Sequence, residues 1–293
     1  MTLEHYLEEN YSSTAVRSYI NLIKRYRITL GETADQASHK QVLDYIGTLR
    51  QQQLHPKSIR NHLFAIKIYY NYLVTIEKRT DHPCKYLYLK DQINRQIQVE
   101  NLYTPQQLAT LNNTYQSKQK INQQRDKIII SLLIYQALTV LEITQLQLGD
   151  INLEQATIHI KANHKNKQRQ LSLKPNQILL IHQYLTKDRK HFSHKQPPRK
   201  RTNHFILNTN GQPIWKGAIN RIINKGKPKQ QRLQPIKIRQ SVISHLLKQN
   251  HNIRIVQEFA GHRRTASTEA YKQSGLEELK TVISKLHPLQ YNQ

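Results

Sequence analysis

The amino-acid sequence predicts a mainly α fold with a small β component. Apolar residues recur every three or four positions along most of the chain, and only at Thr157–Lys161 and Gln170–Leu173 does the pattern turn to alternation. Helices come first. Ser13–Thr14 offer N-caps to a stripe of Val16, Tyr19, Ile20, Ile23 and Tyr26. His39–Leu54 carries Val42, Tyr45, Ile46 and Leu49 on one face, and Pro56–Ser58 opens a long third helix. That helix turns Ile59, Leu63, Ile66, Tyr69, Tyr70 and Leu73 inward, while Arg60, Lys67 and Lys78 lie off the stripe. The result is a small bundle with a basic outer face.

Between Tyr88 and Asn101 the apolar period is lost and the segment turns polar, as an interdomain linker does. The expected organisation is a helical domain over 1–90, a linker over 91–101 and a second domain over 102–293. Thr104–Pro105 starts the first helix of that second domain. Ile128–Leu141, inside a helical region spanning Arg125–Leu148, reads as a buried helix. The alternating runs then flank the stretch KANHKNKQR, predicting a β-hairpin with a cationic tip. Gln177–Leu185 is helical again, and Lys187–His204 reads as a cation-dense loop, solvated or in contact with phosphate. Asn208–Gln212 is a turn, Lys225–Arg232 a basic loop, and Ala218–Asn224, Ile238–Gln249, Ile253–Phe259 and Leu276–Leu286 are the remaining helices.

Charge narrows the function classes. The chain has 293 residues, and its 45 Lys+Arg against 19 Asp+Glu give a net charge of +26. Such an excess repels itself in a compact fold and calls for a polyanionic partner. The most apolar run, Ile128–Leu141, is shorter than the roughly 20 residues a spanning helix needs, so nucleic acid is expected and membrane is not. The N-terminus, MTLEHYLEEN, is acidic and polar, unlike a secretory signal. A single cysteine, Cys84, excludes an internal disulfide and fits a reducing compartment, the cytoplasm.

The C-terminal third holds the informative constellation: Pro235-Ile-Lys-Ile-Arg239, a helix through Leu246–Leu247, then Gln257-Glu-Phe-Ala-Gly-His262, and nine residues later Tyr271. Here the sequence resembles the tyrosine recombinases, the phage-integrase and Xer-like family. Their signature runs His-x-x-Arg, a helix, Leu-Gly-His and a tyrosine about nine residues on. The likeness reaches through nearly the whole chain. The Ser-Ser-Thr helix start at 12–14 and the Pro56-Lys-Ser-Ile-Arg stretch resemble the family's helical, SAM-like core-binding domain, and Leu102-Tyr-Thr-Pro resembles the opening of its α+β catalytic domain. The family's first box, Thr-Gly-Leu-Arg-Ile-Ser-Glu-Leu, aligns with Gln136-Ala-Leu-Thr-Val-Leu-Glu-Ile143, followed by Leu146 and Asp150–Ile151.

The resemblance implies a site-specific recombinase or integrase that cuts and rejoins double-stranded DNA through a 3′-phosphotyrosyl intermediate, with no cofactor or metal. Tyr271 would be the nucleophile, Arg239 the phosphate clamp and His262 a hydrogen-bond donor or proton shuttle. A hairpin lysine would protonate the departing 5′ oxygen. Alignment from the Asp150 side points to Asn163 and from the Arg169 side to His164; Lys165 is the nearest cation, with Lys161 and Lys167 as alternatives. Arg60, Lys67, Lys161, Lys167, Arg169 and Lys237 are the expected DNA contacts. The Leu276–Leu286 helix would join the chain to a second copy, or to a paralogous recombinase, on DNA.

Two positions depart from the pattern. Thr139 stands where the family has its first arginine, and Ile236 where it has the His of His-x-x-Arg, with Lys237 the only neighbouring cation. Loss of a phosphate-clamping arginine costs roughly 10³–10⁵-fold in rate where arginine fingers have been removed. An alternative therefore stands beside the enzyme: a degenerate homologue that grips DNA as a binding partner without cleaving it.

Overall fold

A computed structural model describes residues 1–92, 97, 101–117 and 119–271; the side chain of Thr14 and the predicted Leu276–Leu286 helix lie outside what it describes. The described chain is largely helical with one three-stranded sheet, as the sequence predicts. Its contacts separate into two compact units, Met1–Asn94 and Arg95–Gln293.

The first unit is a bundle of α1 (Leu3–Asn10), α2 (Ser13–Leu30), α3 (His39–Gln51) and α4 (Pro56–Thr75). Helix α1 was not foreseen: its acidic, polar stretch has a weak apolar period, yet Thr2 caps it and Leu7 is fully buried. The N-cap of α2 is Ser12 rather than Ser13–Thr14. Gly31, at φ 61°, ends that helix in a backbone region that costs other residues most. Ser38 and Gln41 form a capping box at the start of α3, which stops at Gln51, short of Leu54. Pro56 occupies the first turn of α4. The predicted inward faces make the core, where the hydroxyls of Tyr26 and Tyr70 meet at 2.6 Å and Tyr70 also donates to the Ala34 carbonyl.

The second unit packs around α6 (Gln123–Tyr135), whose residues Ile128–Ile134 are all buried. Helix α5 (Pro105–Thr114) opens with a Thr104–Gln107 capping box. The predicted continuous helix through Leu141 does not form. The chain leaves α6 after Tyr135, passes through Ala137 at φ 49°, and restarts as α7 (Val140–Gln145) with Thr139 as N-cap. Periodicity missed this break because the run stays apolar on both sides of it.

The hairpin is part of a meander of β1 (Ile151–Asn152), β2 (Thr157–Ile160) and β3 (Arg169–Ser172), antiparallel in that order, with Ile158 opposite Leu171 and Ile160 opposite Arg169. Inward residues alternate along β3, so Arg169 and Leu171 share the buried face.

The cation-dense segment Lys187–His204 also differs from expectation. It contains α9 (Arg189–His194), which continues from α8 (Pro175–Gln183) through a wider turn at Tyr184–Asp188. Phe192 is fully buried. Buried Arg189 donates from Nε to the carbonyls of His204 and Phe205 and from Nη2 to those of Thr202 and His204, at 2.7–3.2 Å. Helices α10 (Lys216–Ile223), α11 (Pro235–Lys248) and α12 (Ile253–Ala260) follow, and residues 266–271 are helical. No helix among the described residues is long and apolar enough to cross a membrane.

Arg189→Ala removes the guanidinium donors from the partly buried carbonyls of Thr202 and His204 and leaves the Phe205 carbonyl with only the Tyr184 hydroxyl. It should destabilise the second unit by about 2–4 kcal/mol, whereas exposed Arg199→Ala should change stability by less than about 0.5 kcal/mol. Trp215, the chain's single tryptophan, lies in that unit, so its fluorescence in a urea titration reads the difference.

Candidate active site

The site is assembled from α7, the β2–β3 connection, α11 and the stretch after α12. Thr139 begins it. As N-cap of α7 its hydroxyl accepts from the Glu142 N–H, and its own N–H and hydroxyl donate to Glu142 Oε2 at 2.8 and 2.9 Å. Thr139 thus brings no cation. It fixes Glu142, whose Oε1 takes Arg169 Nη1 at 2.7 Å and Asn166 Nδ2 at 3.0 Å, while Oε2 lies 4.0 Å from Arg239 Nη1. All four of Glu142, Asn166, Arg169 and Arg239 are buried. Burial pushes the Glu142 carboxyl up, but the Arg169 contact, the Thr139 N–H and the charge of Arg239 outweigh it and hold the group below the ordinary carboxylate range.

Arg239, 4% exposed on α11, donates from Nη1 to the Ala137 carbonyl at 2.6 Å and from Nη2 to the Ala260 carbonyl. Burial weakens its hold on a proton and Glu142 partly restores it. The first of those carbonyls belongs to a strained residue: a non-glycine side chain in the left-handed region costs on the order of 1–2 kcal/mol, and the family has glycine where Ala137 stands.

Gly261 ends α12 at φ 68°, and a Cβ there would stand 2.6 Å from Arg169 Nη1. Glycine is needed for the turn and for the guanidinium beside it. The hairpin tip is sewn to this stretch: Asn166 pairs with His262, the Lys167 N–H donates to the Gly261 carbonyl at 2.8 Å, and Arg263 donates to the Asn163 carbonyl. His262 faces Thr268 Oγ1 through Nδ1 at 2.9 Å and stacks on Tyr271, with ring centroids 6.3 Å apart and planes inclined by 14°. Burial, then Arg239 and Arg169, hold the imidazole down at about 4, so it is neutral at physiological pH. Burial raises the Tyr271 phenol and Arg239 partly opposes it. Tyr271 itself is 9% exposed, packed with Ile243, Val256 and Ala260.

The three residues of the sequence motif, Arg239, His262 and Tyr271, therefore come together. Arg169, expected on the DNA surface, is instead a buried partner of Glu142. Ile236 is 55% exposed near the start of α11. Lys165 and His164 are exposed at the hairpin tip, and Lys165 immediately precedes Asn166. Lys167 is exposed, and Lys161, also exposed, lies 3.4 Å from Asp150. Lys237 lines a separate cavity of about 820 Å³ with Tyr103, Lys225 and Arg232. In the first unit, Arg60 Nη2 donates to the carbonyls of Asp91 and Leu89, and Lys67 to that of Lys85 while its ammonium covers Tyr88.

Sequence reasoning missed Thr268 and the hub role of Glu142. For Glu142 a signal existed: Thr139-Val-Leu-Glu142 has the spacing of a capping box. For Thr268 there was none.

His262 yields a pH prediction. The unfolded chain binds a proton on an exposed imidazole near 6.5, and the folded one refuses it until about 4. Stability from this group is complete above pH 6.5 and declines as pH falls toward 4. Urea midpoints should drop over that window, and His262→Gln should flatten part of the drop.

The profile of the phage integrase family matches residues 101–278, and that of the phage integrase N-terminal SAM-like domain matches residues 3–76. Tyrosine recombinase XerD of Staphylococcus saprophyticus is 26% identical over 292 residues, covering 96% of this chain and 95% of that protein. XerD of Staphylococcus haemolyticus is 23% identical over 296 residues, with the same coverage. Among solved structures, the Tn1549 transposon integrase in complex with transposon right end DNA has a TM-score of 0.64 at 16% identity, covering 98% of this chain and 99% of that one. XerH site-specific recombinase bound to difH substrate has a TM-score of 0.63 at 18% identity, covering 92% and 77%. These structures share the fold, and because the first profile spans more than half of the sequence, from before Thr139 to beyond Tyr271, the chain belongs to the phage integrase family.

Proposed function

We propose that this chain is a site-specific DNA recombinase that cuts and rejoins double-stranded DNA through Tyr271. The observation that carries the reading is the stacking of Tyr271 on His262, with buried Arg239 donating to the carbonyl of Ala260 two residues before that histidine. In the step we propose, Tyr271 Oη bonds to the scissile phosphorus as the bond from phosphorus to the 5′ oxygen breaks. The phenolic proton passes from Tyr271 to water as its oxygen bonds to phosphorus, and the 5′ oxygen gains a proton from the hairpin, with Lys165 as donor. Phosphodiester energy is kept in the phosphotyrosyl bond, so religation needs no cofactor. With Thr268 donating into Nδ1, Nε2 of His262 carries a proton toward a non-bridging oxygen, and the charge of Arg239 stabilises that oxygen as it becomes more negative.

Retention of nucleophile, imidazole and guanidinium favours cleavage over the non-cleaving alternative. We read 1–90 as the core-binding domain, 91–101 as the linker and 102–293 as the catalytic domain. Exposed Lys161 and Lys167 on the hairpin, and Lys237 with the basic loop of its cavity, are the proposed DNA contacts of that domain, Arg60 and Lys67 those of the first. The cytoplasm is the proposed compartment. It suits a lone cysteine and the tyrosine recombinases that the chain is similar to.

Nicked duplexes spanning the ends of the gene's own locus test the chemistry. The protein should form a denaturant-resistant adduct that Tyr271→Phe abolishes; specific binding with no adduct would support the non-cleaving reading. Arg239→Ala should reduce adduct formation by on the order of 10²-fold or more with a far smaller loss of affinity. Assembly is tested separately. Deleting residues 276–293 should weaken cooperative binding to paired sites in gel-shift titrations while leaving single-site affinity nearly intact.

A further inference from the structure

Two buried guanidiniums flank one buried carboxylate, and their contacts are unequal. Arg239 is anchored to two backbone carbonyls and stands 4.0 Å from Glu142, whereas Arg169 meets Glu142 directly at 2.7 Å. The Nε and Nη2 groups of Arg169 are buried and have no hydrogen-bond partner. Arg189, in the same unit, shows what a structural arginine looks like: its Nε and Nη2 are engaged by the carbonyls of Thr202, His204 and Phe205. Burying a guanidinium with donors unmet is costly, so the position of Arg169 is explained by its charge rather than by its hydrogen bonds.

The charge count supplies the reason. Glu142 contributes one negative charge, Arg169 and Arg239 one positive charge each, His262 is neutral and Thr139 adds nothing, leaving the cluster at net +1. Without Arg169, Glu142 would face Arg239 alone and the cluster would be neutral. We propose that Arg169 is a positioning residue of the reaction centre: by taking up the charge of Glu142 it leaves Arg239 uncompensated for an anionic phosphodiester, supplying the net positive charge that Thr139 does not bring. This rests on the reading of Tyr271 as a nucleophile toward DNA, and it extends that reading to how the centre works without its first-box arginine. Gly261 fits the scheme, since any side chain there would press on the Arg169 guanidinium.

A compensating pair of substitutions tests it. Arg169→Gln should cut the rate of adduct formation on nicked duplex by on the order of 10²-fold with little change in DNA affinity. Glu142→Gln combined with Arg169→Gln returns the cluster to net +1 and keeps a residue able to complete the Thr139 capping box. The double variant should recover to within about tenfold of the parent rate, and Arg169→Lys should retain more activity than Arg169→Gln. A double variant that is folded but no faster than Arg169→Gln alone overturns the proposal.

A second readout does not need cleavage. The pKa of His262, followed by NMR of its ring protons in the full chain, should rise in Arg169→Gln and fall back in the double variant. An unmoved titration in Arg169→Gln also overturns the proposal. Should the parent protein form no adduct at all, the nucleophile reading fails on that result and the His262 titration alone decides the role of Arg169.

Discussion

The site in the second unit is organised around one buried carboxylate, that of Glu142. Glu142 is held by the N–H and hydroxyl of Thr139, the amide of Asn166 and the guanidinium of Arg169, with Arg239 at 4.0 Å. A buried charge with so many partners contributes little net stability over an apolar replacement, yet removing one partner typically costs about 3–5 kcal/mol. Such a group fixes arrangement more than it adds stability. Here it fixes the start of α7, the inward face of β3, the hairpin tip and the neighbouring face of α11, segments that are far apart in sequence.

From that hub, order passes to Tyr271, the proposed nucleophile, through short links. Asn166 touches both Glu142 and the strand position of His262; Arg239 reaches from the Ala137 carbonyl, just before α7, to the Ala260 carbonyl, just before Gly261. His262 then stacks on Tyr271. Every link is made between groups of the chain itself, so the cost of orienting them is met in folding. Strain at Ala137 belongs to the same economy of position, because the left-handed residue turns the chain between α6 and α7 and presents the carbonyl that Arg239 uses.

What the sequence made legible follows from local physics. Amphipathic periods marked α2, α3 and α4, and the spacing of Arg239, His262 and Tyr271 marked the site. The break between α6 and α7 was hidden because Ala137 and Leu138 are as apolar as a helix interior, and only a backbone angle separates them from one. Arg169 was misread as a surface cation, although its alternation with Leu171 on β3 places it on the buried face; a charge at an inward strand position already implies a buried counter-charge elsewhere. The segment after α8 was misread for a related reason: composition counts cations and cannot tell an arginine that caps carbonyls, such as Arg189, from one that faces water.

Two scales of electrostatics then separate. The net charge of +26 acts over the surface, where salt screens it within roughly 8 Å at physiological ionic strength, and it bears on how DNA is found and gripped. The charge of Glu142, Arg169 and Arg239 is small but lies where water does not reach, so each unit of it counts for more at a reacting phosphorus. A capping threonine in place of an arginine, and Ile236 in place of an imidazole, therefore alter the dry centre while leaving the surface excess of positive charge nearly as it is. The chemistry depends on whether the dry centre keeps a positive balance, and in this protein that balance is set by one residue on β3 and one on α11 against the carboxylate between them.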